Sequence, residues 1–169
     1  MKIYIASGIG TGPTKMAAFD SALQGAGVAN YNLIRLSSII PAGSEVVEVK
    51  PPIPKQPGKW GDRLYVVMAE LRVDTPNVEA WAGIGWVQND KTGEGLFVEH
   101  EGANEATVRR DIEQSMKFLV ESREKEFGPL QMKVVGITCL HEPVCALVIA
   151  TYQASGWKNG ATAKIPRLR

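Results

Sequence analysis

Apolar and polar residues alternate from Lys2 to Ser7, which predicts a strand. Gly8, Gly10 and Gly12 follow, then Pro13 and Thr14, and the period changes. Phe19, Ala22, Leu23 and Ala26 recur at helical spacing, with Gly27 placed to close the helix. Extended chain returns at about Tyr31–Leu36 and runs into Ser37-Ser38, and Pro41 limits how it continues. Glu45–Val49 predicts a short strand. Pro51, Pro52, Pro54 and Pro57, with Gly58 and Gly61, predict a stiff extended loop that Trp60 pins to the body. Arg63–Val73 and Val78–Val87 read as strands, Asn89–Gly93 as a hairpin loop, and Gly95–Glu101 as its return strand. Asn104 caps a helix reaching to about Phe127, with Val108, Ile112, Met116 and Leu119 as its buried stripe and Gly128-Pro129 as its end. Met132–Leu140 and Val144–Gln153 are the last two strands, joined through His141-Glu142-Pro143.

Several strands with two main helices imply an α+β fold in layers, with the helices outside. Strand, helix, strand and short strand in the first third echo strand, helix, strand and strand in the last part, an order compatible with an internal βαββ duplication. A chain of 169 residues fits one domain spanning 1–169 with a sizeable core. The basic, glycine-containing segment 158–169 is expected to be a flexible tail. A net charge of +1 leaves no broad electrostatic case for nucleic acid or a membrane surface. The apolar run at the N-terminus is too short for a signal peptide, and no run approaches the length of a membrane span. Two cysteines make no disulfide framework. A cytoplasmic protein is the expectation.

Four groups of residues carry candidate chemistry. The glycine-rich stretch suggests a phosphate cradle, yet the dinucleotide fingerprint fails because its third glycine falls on Pro13. The ordinary reading is a turn that allows close backbone approach. Cys139, His141, Glu142 and Cys145 cluster locally, but their spacing departs from zinc patterns, so buried cysteines and no metal are expected. Glu99 and Glu101 share one strand face, where repulsion or burial raises a carboxyl pKa and yields a proton donor. The ordinary reading is a pair of edge-strand charges. Finally, an extended chain through Ser38 places Asn32, Ile34, Leu36 and Ser38 on one face. A hydroxyl held there can attack the Ser37 carbonyl, whereas the ordinary reading of Ser37-Ser38 is turn chemistry.

The string Asn-Leu-Ile-Arg-Leu-Ser-Ser-Ile-Ile-Pro at 32–41, with Ala17-Ala18-Phe19-Asp20 before it and Gly-Leu-Phe-Val-Glu-His-Glu-Gly at 95–102 after it, resembles the pyruvoyl-dependent arginine decarboxylases. The resemblance runs from about Gly8 to Tyr152. It implies a four-layer αββα sandwich and self-cleavage between Ser37 and Ser38 into 1–37 and 38–169. Ser38 becomes a covalent pyruvoyl group, the cofactor for decarboxylation of L-arginine to agmatine and CO2, a route into polyamine biosynthesis. Asn32 matches the family asparagine and is placed to stabilise the oxyanion during processing. Glu99 matches the glutamate that returns the proton. Asp20 matches the aspartate that holds the substrate guanidinium, a role suited to a carboxylate accepting two parallel bonds. The partners implied are arginine and further copies of the chain, as a homotrimer or dimer of trimers with sites at the interfaces. The chain departs from some members in its glycine-rich entry and in His100, where an aromatic can stand. The rival readings are a pyruvoyl decarboxylase for another amino acid, or a non-catalytic trimeric binding protein of this fold.

Overall fold

The computed structural model describes residues 1–54 and 58–157. Pro57 of the expected loop and the expected tail from Lys158 lie outside the described residues. Along the chain come β1 (Lys2–Thr11), α1 (Lys15–Ala26), β2 (Asn32–Arg35), β3 (Ile39–Ile40), β4 (Glu45–Glu48), β5 (Arg63–Val73), β6 (Glu79–Gln88), β7 (Gly95–Gly102), α2 (Glu105–Glu121), β8 (Gln131–Thr138) and β9 (Val144–Ser155). The first sheet is ordered β2-β5-β9-β1-β4 and the second β3-β7-β6-β8.

Strand alternation builds the layers. Along β9, Val144, Ala146, Val148, Ala150 and Tyr152 point between the sheets, where they meet Ala82, Ile84, Trp86 and Phe97. Cys145, Leu147 and Ile149 point the other way, onto Ala18, Ala22 and Ala26 of α1. Across the molecule, Val108, Ile112 and Met116 of α2 cover Val87, Leu96 and Val98 of the second sheet. The order helix, sheet, sheet, helix is the expected αββα sandwich. The sheets differ in strand number and order, and the arrangement does not establish the internal duplication.

Three sequence expectations change. The glycine-rich stretch is not a turn: β1 continues through Gly8 and Gly10 to Thr11. A Cβ on Gly8 would stand 2.2 Å from the Ala22 carbonyl oxygen, and one on Gly10 2.2 Å from that of Ala18. These glycines let α1 lie directly on the strand, which leaves no cradle for a phosphate. The second helix ends at Glu121, well before Gly128-Pro129. There the Arg123 guanidinium takes the Leu119 carbonyl at 2.7 Å, and Gly128 N–H donates to Gln88 at 2.8 Å, so the following segment folds back toward the β6–β7 hairpin. Trp60 does not pin the proline-rich loop, being 84% exposed. Ile53 does so instead, with its side chain buried and its N–H donating to the Ala26 carbonyl at 2.9 Å.

Candidate active site

β2 lies at the edge of the first sheet and β3 at the edge of the second. The chain therefore passes from one sheet to the other through Leu36, Ser37 and Ser38. β2 runs parallel to β5 from Asn32 to Arg35, and Leu36 makes a last bond to the Val66 carbonyl at 2.9 Å. Extended geometry stops there. Ser38 adopts φ +66°, in the left-handed region that L-residues occupy at a cost. The alternation that set Asn32 and Ser38 on one face is thus broken before it reaches Ser38.

What holds Ser38 in that turn is β7. Phe97 N–H donates to the Ser38 carbonyl at 2.8 Å, and the Ser38 hydroxyl donates to Glu99 Oε1. One residue on, Tyr152 Oη donates to the Ile39 carbonyl at 3.0 Å, reaching across from the first sheet. Ser37 is exposed and Ser38 partly buried. A cavity of about 280 Å³ opens here, lined by Ser37, Ser38, Glu99, His100, Ser115 and Arg123 among others. His100 Nε2 lies 2.7 Å from Ser115 Oγ, which fixes the imidazole against α2.

Burial raises the Glu99 carboxyl above the ordinary range, because desolvation disfavours the charged form. The Ser38 hydroxyl, the residue's own N–H, and the charges of His100 and Arg35 oppose that shift without cancelling it. Glu101 on the same face is exposed, so desolvation rather than repulsion between the two carboxylates sets the direction. The site therefore holds a hydroxyl bonded to a carboxyl that is biased toward its protonated form.

Asp20 and Asn32 lie elsewhere on the chain. Asp20 sits on α1 at the surface, where Gln24 Nε2 donates to its Oδ2 at 2.6 Å. It lines a separate open cleft of about 1120 Å³ with Asn30, Tyr31 and Trp60. Asn32, at the end of β2 remote from Ser38, donates from Nδ2 to the Gly61 carbonyl at 2.5 Å. Within one protomer the structure brings Ser38 to Glu99 and brings neither Asp20 nor Asn32 to them. Sequence reasoning missed Tyr152, Phe97 N–H and Ser115. For Tyr152 a signal existed: alternation along β9 turns it between the sheets, where a buried phenol needs an acceptor.

Cys139 and Cys145 are buried free thiols, and burial pushes the Cys145 thiol up to about 12. Among the described residues no group of three or more His, Cys, Asp or Glu could hold a metal ion. No helix among them is long and apolar enough to cross a membrane.

Known proteins are similar to this chain along most of its length. The family model described as pyruvoyl-dependent arginine decarboxylase matches residues 2–154. A protein of that name from Halobacterium salinarum is 44% identical over 108 residues, 63% of this chain and 62% of the relative, so less than two thirds of that relative's length is covered. One from Thermococcus kodakarensis is 30% identical over 154 residues, 88% of this chain and 92% of the relative. A third, from Methanocaldococcus jannaschii, is 31% identical over 131 residues, 76% of each.

Proposed function

This chain belongs to the family of pyruvoyl-dependent arginine decarboxylases, and we propose that it is a lyase converting L-arginine to agmatine and CO2 with a pyruvoyl group made from its own Ser38. The observation that carries the reading is the Ser38 hydroxyl, bonded to Glu99 at the crossing between the sheets.

The residues present fit the group. Ser38 Oγ attacks the Ser37 carbonyl carbon, the amide C–N bond breaks, and an ester takes its place. β-Elimination then breaks the Cβ–Oγ bond, leaving Ser37 as a carboxylate and dehydroalanine at position 38. Tautomerisation and hydrolysis consume one water, release ammonia and leave a ketone. One domain results, in two pieces, 1–37 and 38–169. The left-handed φ at Ser38 supports the site of the break, since strain of this kind persists only where surrounding contacts over-determine it. The Ser38 carbonyl accepts from Phe97 N–H in the intact chain and is not consumed by any of these steps.

A pyruvoyl group supplies a ketone that withdraws electrons from the α-carbon of a bound amino acid. Glu99 does the rest of the local chemistry. Before cleavage its Oε1 orients the hydroxyl. Once Oγ has left with Ser37, the carboxyl faces the cavity carrying a proton that burial favours, ready for delivery to carbon. Asp20 takes the guanidinium as a bidentate acceptor, and Asn32 stabilises the oxyanion of processing. Both lie outside the Ser38 cavity of their own protomer, so in this reading a neighbouring copy supplies them, in a homotrimer or a dimer of trimers.

Intact mass of the purified protein tests the reading. The expected result is two fragments divided between Ser37 and Ser38, the larger lacking a free amine and reacting with hydrazine, together with CO2 release from arginine in preference to lysine, ornithine or histidine. Ser38→Ala is expected to remain one chain. A Ser38→Ala protein that still divides at this bond would refute the assignment.

A further inference from the structure

The bonds that fix position 38 do not all survive its conversion. Three hold it in the intact chain: Ser38 Oγ to Glu99, Phe97 N–H to the Ser38 carbonyl, and Tyr152 Oη to the Ile39 carbonyl. Conversion removes Oγ, and hydrolysis removes the nitrogen. Cleavage also cuts the covalent link to β2 and makes residue 38 a chain end. Chain ends fray unless tied down. The strand behind this one is short, for β3 meets β7 only through Ile39↔Leu96 and Ile40↔Gly95.

We propose that Tyr152 is the positioning residue for the group formed at position 38, its hydroxyl holding the Ile39 carbonyl so that the new chain end stays seated over Glu99. The inference rests on the cleavage reading above. Antiparallel alternation explains why a side chain is needed. The Ser38 carbonyl points into β7, so the Ile39 carbonyl points away from it and finds no rung of the second sheet. Tyr152 meets it from β9 of the first sheet. The residue is only 7% exposed, and its ring stands edge-on to Phe97 with centroids 6.2 Å apart and planes at 66°. One aromatic pair thereby supplies both surviving bonds, the Phe97 N–H and the Tyr152 hydroxyl. Burial, with the Glu99 charge, holds the phenol far above its ordinary pKa, so it remains a donor.

The test compares Tyr152→Phe in two backgrounds, the cleaving chain and the uncleavable Ser38→Ala chain. Phenylalanine keeps the ring contact and removes only the hydroxyl. Hydrogen exchange at the Ile40 amide reads the seating of the chain end, and intact mass reads cleavage. In cleaved protein the expected result is exchange about tenfold faster and kcat lowered by about tenfold, the size of one net hydrogen bond, with KM little changed. In the Ser38→Ala chain, still tied to β2, Tyr152→Phe should change exchange far less, whereas a merely structural role would affect both backgrounds alike. Equal effects in the two, or wild-type exchange and kcat in cleaved Tyr152→Phe, would overturn the role of Tyr152 alone. A wild-type chain that never cleaves would overturn both this inference and the reading beneath it.

Discussion

Replacing Ser38 by glycine and by alanine separates backbone strain from chemistry. Both variants lose the hydroxyl and its bond to Glu99 and, in the proposed reading, the capacity to cleave, so both are studied as one uncut chain. They differ in a single Cβ at φ +66°. An L-residue in the left-handed region costs about 1–2 kcal/mol. Glycine's freer unfolded chain returns about 0.4–1 kcal/mol of that. The net expectation is that Ser38→Gly is the more stable by about 1 kcal/mol, or about 2–4 °C in melting temperature for a chain of this size. Urea unfolding of both at one fixed protomer concentration measures it, with equal m-values as the check on a common unfolded state. Alanine equal to or more stable than glycine would show that position 38 is not held left-handed. The reasoning about the break would then lose its energetic part, because a residue converted to a ketone has no nitrogen and hence no φ to strain.

Glu99→Gln keeps an amide oxygen to accept the Ser38 hydroxyl, so cleavage measured by mass should proceed while decarboxylation falls by about 10²–10⁴, the usual worth of a positioned acid. Because burial raises this carboxyl, the folded chain holds its proton more tightly than the unfolded chain. That contribution to stability is complete below the unfolded value and is lost as pH rises through the raised one. Melting temperature of the wild type should accordingly fall across that window relative to Glu99→Gln, and kcat should fall with it as the acid form disappears; parallel pH profiles would contradict the buried carboxyl. Asp20→Asn should leave cleavage intact and raise KM for arginine about 10–100-fold, matching one charged hydrogen bond, and an unchanged KM would remove Asp20 from the binding site. The fragments 1–37 and 38–169 should co-elute on gel filtration and part only in denaturant, since β1 is paired on both sides, to β9 and β4; separation in native buffer would count against this pairing.

Much of the layering was legible because period alone reports it. The bounds of β5 match the apolar run Arg63–Val73, and Gly27 closes α1 at φ +84° as its place in the pattern suggested. Contacts distant in sequence were not legible. Nothing local to Gly8 and Gly10 says that a helix lies on them; a turn and a close approach use the same residue for different reasons. The second helix ends early because of Arg123 and the β6–β7 hairpin, a partner that no helical periodicity encodes. At the site, Glu99 was found by its string, whereas the φ of Ser38 was hidden, since a serine pair after a strand gives no sign that the next strand belongs to another sheet. Trp60 misled because a tryptophan ending a loop looks like an anchor, and burial depends on what the loop lies against.

The placement of the Ser37–Ser38 bond at the crossing of the sheets joins fold to chemistry. Inside a strand, a peptide group is held by ladder bonds on both sides, and the serine side chain points to a face rather than back at its own backbone. Between sheets the ladder stops. Leu36 still bonds to β5 and Ser38 already bonds to β7, which leaves the Ser37–Ser38 peptide as the joint between the two sheets. Cutting this joint removes little of the fold. The first piece keeps β1, α1 and β2 in their ladders and the second keeps the rest. The proposed self-cleavage needs a bond that is tightly positioned before the cut and dispensable after it, and a crossover clamped at both ends meets both demands where a strand interior or a free loop meets only one.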